Sequence, residues 1–522
     1  MFVSSHPPVL GRLRRTRAGA VIAALLLMAT VACSATPAGV AAKPDTLSVG
    51  LPASSMPQDF NVAKTVSSIF FFALAYEPLI HLDDDGTFGP ALAKSFGYVG
   101  PGNKKFQLEL RAEAKFSDGT PVTAAAVKKW ITYYAKNGPF ASQFDLASID
   151  TEGTTKVVLN LKTPNPSVPW NLAQTNGWGF IASPAAVDDP ARLSKATFGA
   201  GPYKLDPAQS QAGSQLTFVP NENYYDKSKA RFKKVVLKQI SNASSMIQSL
   251  SAGQIDIGQG DYSILDAATQ AGFATTGGTL SWDALRFSNS PDRPWGKLQV
   301  RQAVNYAIDR ASLTKALIGG KGEATSTWMP ADGYVKEAKD RYPYDPEKAR
   351  QLLKEAGYAN GVTLTIVDIP GVLTDGTPAD ALVQAIAQQL QKVGVTLKIT
   401  TVQPAQYFTE LRSGKYDGYV ANFGINSYGT YVPIFITSPA AGKGTTDDVT
   451  LKKLTARYLS AEHPEAVAQE VSRYVTEQAL YVPVYAPKSY MVFKKDLKGV
   501  AFPTLPNGLT YGAQPDPTQW QY

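Results

Sequence analysis

The sequence predicts a large α/β protein of two or three domains, and three observations lead to that prediction. The chain has 522 residues, too many for a single hydrophobic core. Residues 105–111 and 156–161 alternate apolar and polar side chains, which is typical of strands with one solvent-facing side. Further along, a helical pattern over 382–393 runs through Gly394 into a strand-like segment at 395–399. Helix, short turn and strand in this order indicate a parallel sheet.

The other elements can be read in chain order. Residues 46–51 are predicted to form a buried first strand, and Thr123 is a natural N-cap for a helix over 124–135. Asp345 is expected to cap another helix, since Pro346 follows it in the first turn. Apolar residues at helical spacing predict the remaining helices, over 61–79, 300–311, 345–357 and 382–393.

The N-terminus has the pattern of an export signal. Four arginines between positions 12 and 17 precede an uncharged stretch over 18–32. Cys33, the single cysteine of the chain, follows the small residue Ala32 and resembles the lipid-bearing cysteine of a lipobox. We therefore predict a lipoprotein signal peptide over 1–32, lipidation at Cys33 and a flexible tether over 33–44. The alternative is an ordinary secretory signal with an incidental cysteine.

Composition excludes several functions. Removing the signal leaves 490 residues and, with its four arginines gone, a net charge of about +4 without a basic patch, so nucleic-acid binding is not expected. The mature chain keeps two histidines, His81 and His463, which argues against a metal site and against catalysis by a histidine-dependent nucleophile. Residues 442–446 superficially suggest a phosphate loop, but Gly444 stands where Ser or Thr must hold magnesium, so we predict a turn. No cofactor is predicted.

Eight motifs, spread over nearly the whole mature chain, resemble the dipeptide/oligopeptide-binding family of solute-binding proteins that serve ABC importers. One of them, Phe116–Ala124, reads Phe-Ser-Asp-Gly-Thr-Pro-Val-Thr-Ala and is similar to the family's most recognisable string. The others are Tyr76–Leu79, Gly199–Leu205, Asn221–Tyr225, Ala252–Asp256, Val300–Arg310, Tyr344–Ala349 and Val482–Tyr485.

The resemblance implies an α/β, two-lobed periplasmic-binding-protein-like fold of type II, with the ligand enclosed between the lobes. Lobe I would comprise 45–280 plus 490–522, with 79–198 as an inserted subdomain, and lobe II would comprise 281–489. Most motif residues would be scaffold. Asp309 and Arg310, for example, are expected to cap and pair at a helix end.

The resemblance also suggests where ligand binds. In peptide binders of the family, the stretch matching 418–428 carries a tryptophan and, three residues later, an aspartate that pairs with the peptide's ammonium group. Phe423 and Asn426 occupy these positions here. Because an amide cannot neutralise a buried cation, an N-blocked peptide, a sugar or another neutral polar ligand suits Asn426 better than a free amino terminus. A one-residue slip in this alignment, or a turn-capping role for Asn426, is the alternative.

Further candidate ligand-binding residues come from the same alignment, and core packing is the competing explanation for each. They are Ser427, Tyr428, Trp282, Gln259, Tyr262, Met56 and Phe60.

The predicted function is capture of a peptide or similar small polar solute by a protein that is not an enzyme. Its expected partners are an ABC transporter permease and, through the lipid anchor, the outer face of the cell membrane, with the protein a monomer. An exported hydrolase and a ligand-sensing receptor of the same fold are the alternatives, and a nickel chelate or haem stays open as ligand.

Overall fold

A computed structural model describes residues 44–522, apart from 65–68, 176, 288, 369–370, 372, 374–376, 404–405, 407–408, 411–412, 414, 438–442 and 511–514. The predicted signal peptide, Cys33 and nearly all of the tether lie outside the described residues.

The strands, in chain order, are β1 (Thr46–Leu51), β2 (Ile80–Leu82), β3 (Phe88–Pro90), β4 (Ala93–Tyr98), β5 (Lys105–Leu110), β6 (Leu146–Glu152), β7 (Lys156–Leu161), β8 (Tyr203–Leu205), β9 (Gln215–Pro220), β10 (Lys234–Gln239), β11 (Ile257–Gly260), β12 (Ala274–Gly278), β13 (Ser281–Phe287), β14 (Gly322–Ala324), β15 (Val362–Asp368), β16 (Val395–Thr401), β17 (Gly418–Gly424), β18 (Tyr481–Pro487) and β19 (Ser489–Phe493).

The helices are α1 (Ile69–Ala75), α2 (Ala124–Asn137), α3 (Val168–Leu172), α4 (Pro184–Asp188), α5 (Pro190–Leu193), α6 (Ala243–Ser251), α7 (Leu265–Gln270), α8 (Leu298–Tyr306), α9 (Arg310–Ile318), α10 (Pro346–Glu355), α11 (Ala379–Gln391), α12 (Tyr428–Tyr431), α13 (Lys443–Thr446), α14 (Val449–Ser460) and α15 (Glu465–Glu477). Helix α12 continues into a π-helical turn over Val432–Ile436.

Two large mixed sheets organise these elements. The first has the order β12-β19-β11-β1-β10-β9-β8, and the second has the order β14-β18-β13-β17-β15-β16. A four-stranded antiparallel sheet, β4-β5-β7-β6, and the hairpin β2-β3 lie in the segment between β1 and β8. The predicted α/β fold is therefore confirmed, and the parallel pairing of β15 with β16 matches the helix–glycine–strand pattern.

Local capping follows the sequence predictions. The Thr123 hydroxyl oxygen accepts a hydrogen bond from the Ala126 N–H at 3.2 Å and starts α2. The Asp345 carboxylate accepts from the Lys348 N–H at 2.8 Å and starts α10. Both caps satisfy backbone donors that the first turn of a helix leaves without partners.

Four predictions about local structure are wrong. In place of the helix predicted over 61–79, the described residues form a 3-10 turn at Val62–Lys64 and the shorter helix α1, and residues 76–79 are not helical. The single helix over 300–311 is two helices, because Asp309 caps a new one by accepting from the Ser312 N–H at 3.0 Å. Arg310 does not pair with Asp309 but is buried, with its guanidinium directed at backbone carbonyls. Lys443–Thr446, predicted as a turn, forms the short helix α13.

The apolar side chains form separate cores on the two large sheets. The first core joins β1, β10 and β11 to α2 and the four-stranded sheet, and it includes Met56 and Phe60, both nearly fully buried. The second core lies between α8 to α11 and the second sheet. Between 44 and 522, none of the described helices is long and apolar enough to cross a membrane.

Candidate functional site

The chain passes between the two large sheets at two points, and the predicted site lies beside them. One passage separates β12 from β13 and the other separates β18 from β19. Next to the first passage, the Ile425 N–H donates to the Leu280 carbonyl at 2.8 Å. This bond attaches the turn after β17 to the segment that connects β12 with β13.

An aromatic cluster fills the second-sheet side of this junction. The Trp282 ring stacks on Phe423, with centroids 4.6 Å apart, and the Tyr481 ring meets both edge-on at 5.6 Å. Trp328 stacks on Tyr481 and contacts Tyr431. Because these rings bury one another, Trp282 and Phe423 form a packed wall.

Charged groups are buried on both faces of β13. Arg286, on the same face as Trp282, is fully buried with its guanidinium 4.4 Å from the centre of the Tyr481 ring, a cation–π contact. Asp283, on the opposite face and also fully buried, accepts from the Asn422 amide nitrogen at 2.7 Å. These interactions join β13 to its two neighbours, β18 and β17.

Asn426 stands at the edge of the aromatic cluster and is half-buried. Its backbone carbonyl accepts from the Ala331 N–H at 2.8 Å. Its side-chain oxygen accepts from the indole N–H of Trp170 at 3.4 Å. Trp170 belongs to α3, which lies in the chain between β7 and β8, so this contact reaches across the junction from the segment before β8.

A second polar network also crosses the junction. Ser167, at the start of α3, is hydrogen-bonded to Ser427 at 2.9 Å and to the Tyr458 hydroxyl at 3.1 Å. The Tyr458 hydroxyl donates to Asp332 at 2.6 Å, and the Asp332 carboxylate also accepts from the Tyr428 N–H at 2.7 Å. The Asp332 carboxylate therefore joins Tyr428 to Tyr458, the residue that contacts Ser167.

Burial raises the pKa of the Asp332 carboxyl to about 6, although the bonds from Tyr458 and Tyr428 act in the opposite direction. The folded state therefore binds a proton more tightly than the unfolded chain does. This favours folding at low pH, and the advantage is lost as the pH rises from about 4 to about 6.

We accordingly expect the free energy of unfolding of the wild type to fall relative to that of Asp332→Asn over this range, by about 3 kcal/mol in total. Chemical denaturation of both proteins at pH values from 4 to 7 measures the difference. Parallel stability curves would show that Asp332 does not titrate in this window.

The other predicted residues lie at separate places. Gln259 is buried in β11, and its side-chain oxygen has no hydrogen-bond partner among the residues that the structure describes. The Tyr262 hydroxyl donates to the Leu317 carbonyl at 2.8 Å, which links the end of the first sheet to α9. Met56 and Phe60 belong to the first core. The structure thus brings Trp282, Phe423, Asn426, Ser427 and Tyr428 together.

Sequence reasoning missed the partners on the opposite side of the junction. Trp170, Ser167 and Asn103 come from the part of the chain between β1 and β8. The Asn103 amide donates to the Leu459 and Ala461 carbonyls at 3.1 and 2.7 Å. No sequence motif includes these residues, because their role depends on the residues that they contact in the folded chain.

Hydrogen bonds from Trp170 to Asn426 and from Ser427 to Ser167 hold the two sides of the junction in contact. Two cavities, of about 740 and 680 Å³, lie elsewhere: one near α10 and β15, the other between α1, the β2–β3 hairpin and the C-terminal segment. Neither is lined by Trp170, Asn426 or the aromatic cluster. Within the part of the chain that the structure describes, no group of three or more His, Cys, Asp or Glu residues could hold a metal ion.

Comparison with known proteins now gives the family. The profile described as "Bacterial extracellular solute-binding proteins, family 5 Middle" matches residues 87–442, more than half of the chain. The chain belongs to the family 5 extracellular solute-binding proteins. Family 5 proteins bind solutes and deliver them to ABC importers, so the predicted function and the prediction that the chain is not an enzyme are confirmed.

Individual family 5 relatives agree over nearly the full length. The nickel-binding periplasmic protein of Escherichia coli K12 is 26% identical over 499 residues, covering 88% of this chain and 93% of its own. A binding protein from A. tumefaciens R10, solved with agropinic acid, superposes with a TM-score of 0.74 at 22% identity, covering 91% of this chain and 98% of its own. The Helicobacter pylori protein solved with the peptide STSA gives 0.72 at 19% identity, covering 92% and 98%. These likenesses support the two-lobed α/β fold and an exported, periplasmic location.

Proposed function

We propose that this protein captures a peptide or a similar small polar solute between two lobes and passes it to the permease of an ABC importer. Lobe I comprises 45–280 plus 490–522, with 79–198 as its inserted subdomain, and lobe II comprises 281–489. The division of strands supports these boundaries, because each large sheet draws its strands from one of the two sets.

The observation that carries the proposal is the junction itself. Trp170 donates to Asn426 and Ser427 donates to Ser167 across it, while the covalent connections are confined to two short passages. Apolar packing also spans the junction, since Trp170 and Leu505 belong to the same buried cluster as the aromatic side chains of the second sheet. A ligand that touches both lobes adds contacts in the closed form and shifts the balance toward it.

Ligand contacts are proposed for the nine residues named from the alignment. Burial divides them into two groups. Asn426 and Tyr262 are half-buried, whereas the other seven are buried. Of these, Trp282, Phe423 and Tyr428 lie in the apolar cluster at the junction, while Met56 and Phe60 pack in the first core. The relatives include a nickel-binding protein and proteins solved with agropinic acid and with a peptide, so the fold accommodates solutes of different chemistry.

A thermal-shift screen tests the proposal. A soluble form lacking residues 1–33 is mixed with di- to hexapeptides, free and N-acetylated, with oligosaccharides and with metal–histidine chelates. A compound present at 100 times its dissociation constant should add about 2.7 kcal/mol to the free energy of unfolding. No shift with any compound would contradict capture of these solute classes.

We also propose that Cys33 carries a lipid that holds the protein, as a monomer, at the outer face of the cell membrane. Acyl chains bind a membrane through their buried methylene groups, and an anchor with more than one chain holds stably. Cys33→Ser is therefore expected to move most of the protein from the membrane fraction to the soluble fraction. Immunoblots of fractionated cells, with Ser34→Ala as the matched control, measure this. An unchanged distribution of Cys33→Ser would exclude the anchor.

A further inference from the structure

The orientation of the Asn426 amide is fixed by a neighbour that can only donate. An indole N–H has no acceptor capacity, so the side-chain atom of Asn426 that faces Trp170 Nε1 at 3.4 Å must be the oxygen. The amide nitrogen then faces away from Trp170. The usual ambiguity between the two ends of an asparagine amide is thereby removed.

The backbone around Asn426 is held on both sides. Its own carbonyl accepts from the Ala331 N–H at 2.8 Å, and the preceding Ile425 N–H donates to the Leu280 carbonyl at 2.8 Å. The Tyr431 hydroxyl donates to the Gly424 carbonyl. The amide nitrogen is therefore presented at a defined position, as a group preorganised for recognition must be.

Space for a ligand atom exists beside that nitrogen. Among the described residues, Asn426 Nδ2 makes one hydrogen bond, a long one of 3.5 Å to the Gly424 carbonyl. A Cβ atom built on Gly424 would lie 3.3 Å from Nδ2 and more than 4 Å from every other described atom outside its chain neighbours. The absence of a side chain at Gly424 leaves this donor accessible.

We propose that Asn426 selects solutes that present an oxygen acceptor, a carboxylate or an acyl carbonyl, over solutes that present an ammonium group. Trp170 acts as a positioning residue, because it turns the donating end of the amide toward the ligand. This selectivity rests on the proposed function. It narrows the ligand class because an amide that could rotate freely would accept equally well from an ammonium group.

Mixtures of random tetrapeptides in four end-group forms test this: free, N-acetylated, C-amidated and blocked at both ends. Peptides retained by the wild-type protein are quantified by mass spectrometry, and dissociation constants are measured for those retained. We expect the retained peptides to bind at least tenfold more tightly in one of two comparisons. Either the N-acetylated form exceeds the form with a free amine, or the form with a free carboxylate exceeds the C-amidated form. Dependence on the acetyl group or on the carboxylate tells which acceptor meets Asn426.

Three variants separate recognition from structure. Asn426→Asp replaces the donor with a carboxylate and is expected to reverse the preference toward free amines. Trp170→Phe keeps an aromatic ring against Phe88 but frees the amide to rotate, so the preference should fall below threefold while binding persists. Gly424→Val fills the space beside Nδ2 and should weaken all retained peptides at least tenfold.

The outcomes are distinct. Tighter binding of the free-amine forms to the wild type, or an unchanged preference in Asn426→Asp, would overturn the inference and leave the capture of peptides standing. Retention of no peptide in any of the four forms would contradict peptide capture and the inference with it.

Discussion

Arg310→Ala is expected to lower the free energy of unfolding by about 4 kcal/mol or more. The Arg310 side chain is buried, and its nitrogens donate to the carbonyls of Pro483, Asn305 and Tyr342 at 2.7, 2.9 and 3.1 Å. Burial lowers the pKa of this guanidinium to about 9, yet the charge is retained at neutral pH. Alanine would leave several buried carbonyls without donors and would open a cavity among α9, β18 and the segment before α10.

Urea denaturation of the soluble form gives the measurement, and Arg350→Ala is the matched control. Arg350 is exposed on α10 and pairs with Glu347 at 2.7 Å, so its removal should change stability by less than about 1 kcal/mol. Arg310→Lys should fall between the two, because a single ammonium group cannot reach all the carbonyls that the guanidinium binds. If Arg310→Ala lowered the free energy of unfolding no more than Arg350→Ala does, the prediction would be wrong and the buried carbonyls would have other donors.

Gly179→Ala is expected to destabilise the protein by about 3 kcal/mol and to weaken ligand binding as well. A Cβ atom at this position would overlap the carbonyl of Leu172, the last residue of α3. Relief of the overlap requires the backbone of α3 to move, and α3 carries Trp170, whose indole contacts Asn426. One methyl group placed well away from the ligand should therefore disturb the junction.

Gly97→Ala is the control for Gly179→Ala. Gly97 lies in β4, and a Cβ atom there meets no described atom within 4 Å. Differential scanning calorimetry and ligand titration should show a near-neutral effect for Gly97→Ala and a clear loss of both properties for Gly179→Ala. Equal effects of the two substitutions would mean that the loss arises from glycine replacement in general.

Helices that begin at a residue with a capping side chain could be predicted from the sequence. Thr123 and Asp345 cap their helices as expected, because a side-chain acceptor at an N-cap acts within three residues. The break between α8 and α9 was missed although Asp309 is also a capping residue. The apolar residues Val304 and Ile308 keep helical spacing across the break and belong to one core, so the pattern gave no sign of an interruption.

One side of the candidate site could be predicted and the other could not. Phe423 and Asn426 stand out because they depart from a family pattern within one short stretch of sequence. Trp170 lies 256 positions before Asn426, and nothing local distinguishes an indole that faces the opposite lobe from one that fills a core. For Met56 and Phe60, ligand contact and core packing both remained open, since a loop after a buried strand is compatible with either location, and the structure places both in the first core.

The place of β19 in the first sheet has a consequence for export. This strand, residues 489–493, is inserted between β11 and β12, more than 200 residues earlier in the chain. Until it arrives, both partners have an unpaired edge and the sheet cannot be completed. Pairings this distant in sequence also form slowly. A chain that leaves the cytoplasm with its N-terminus first therefore stays short of its final fold until almost all of it has been translocated, which is the condition that passage through a narrow channel requires.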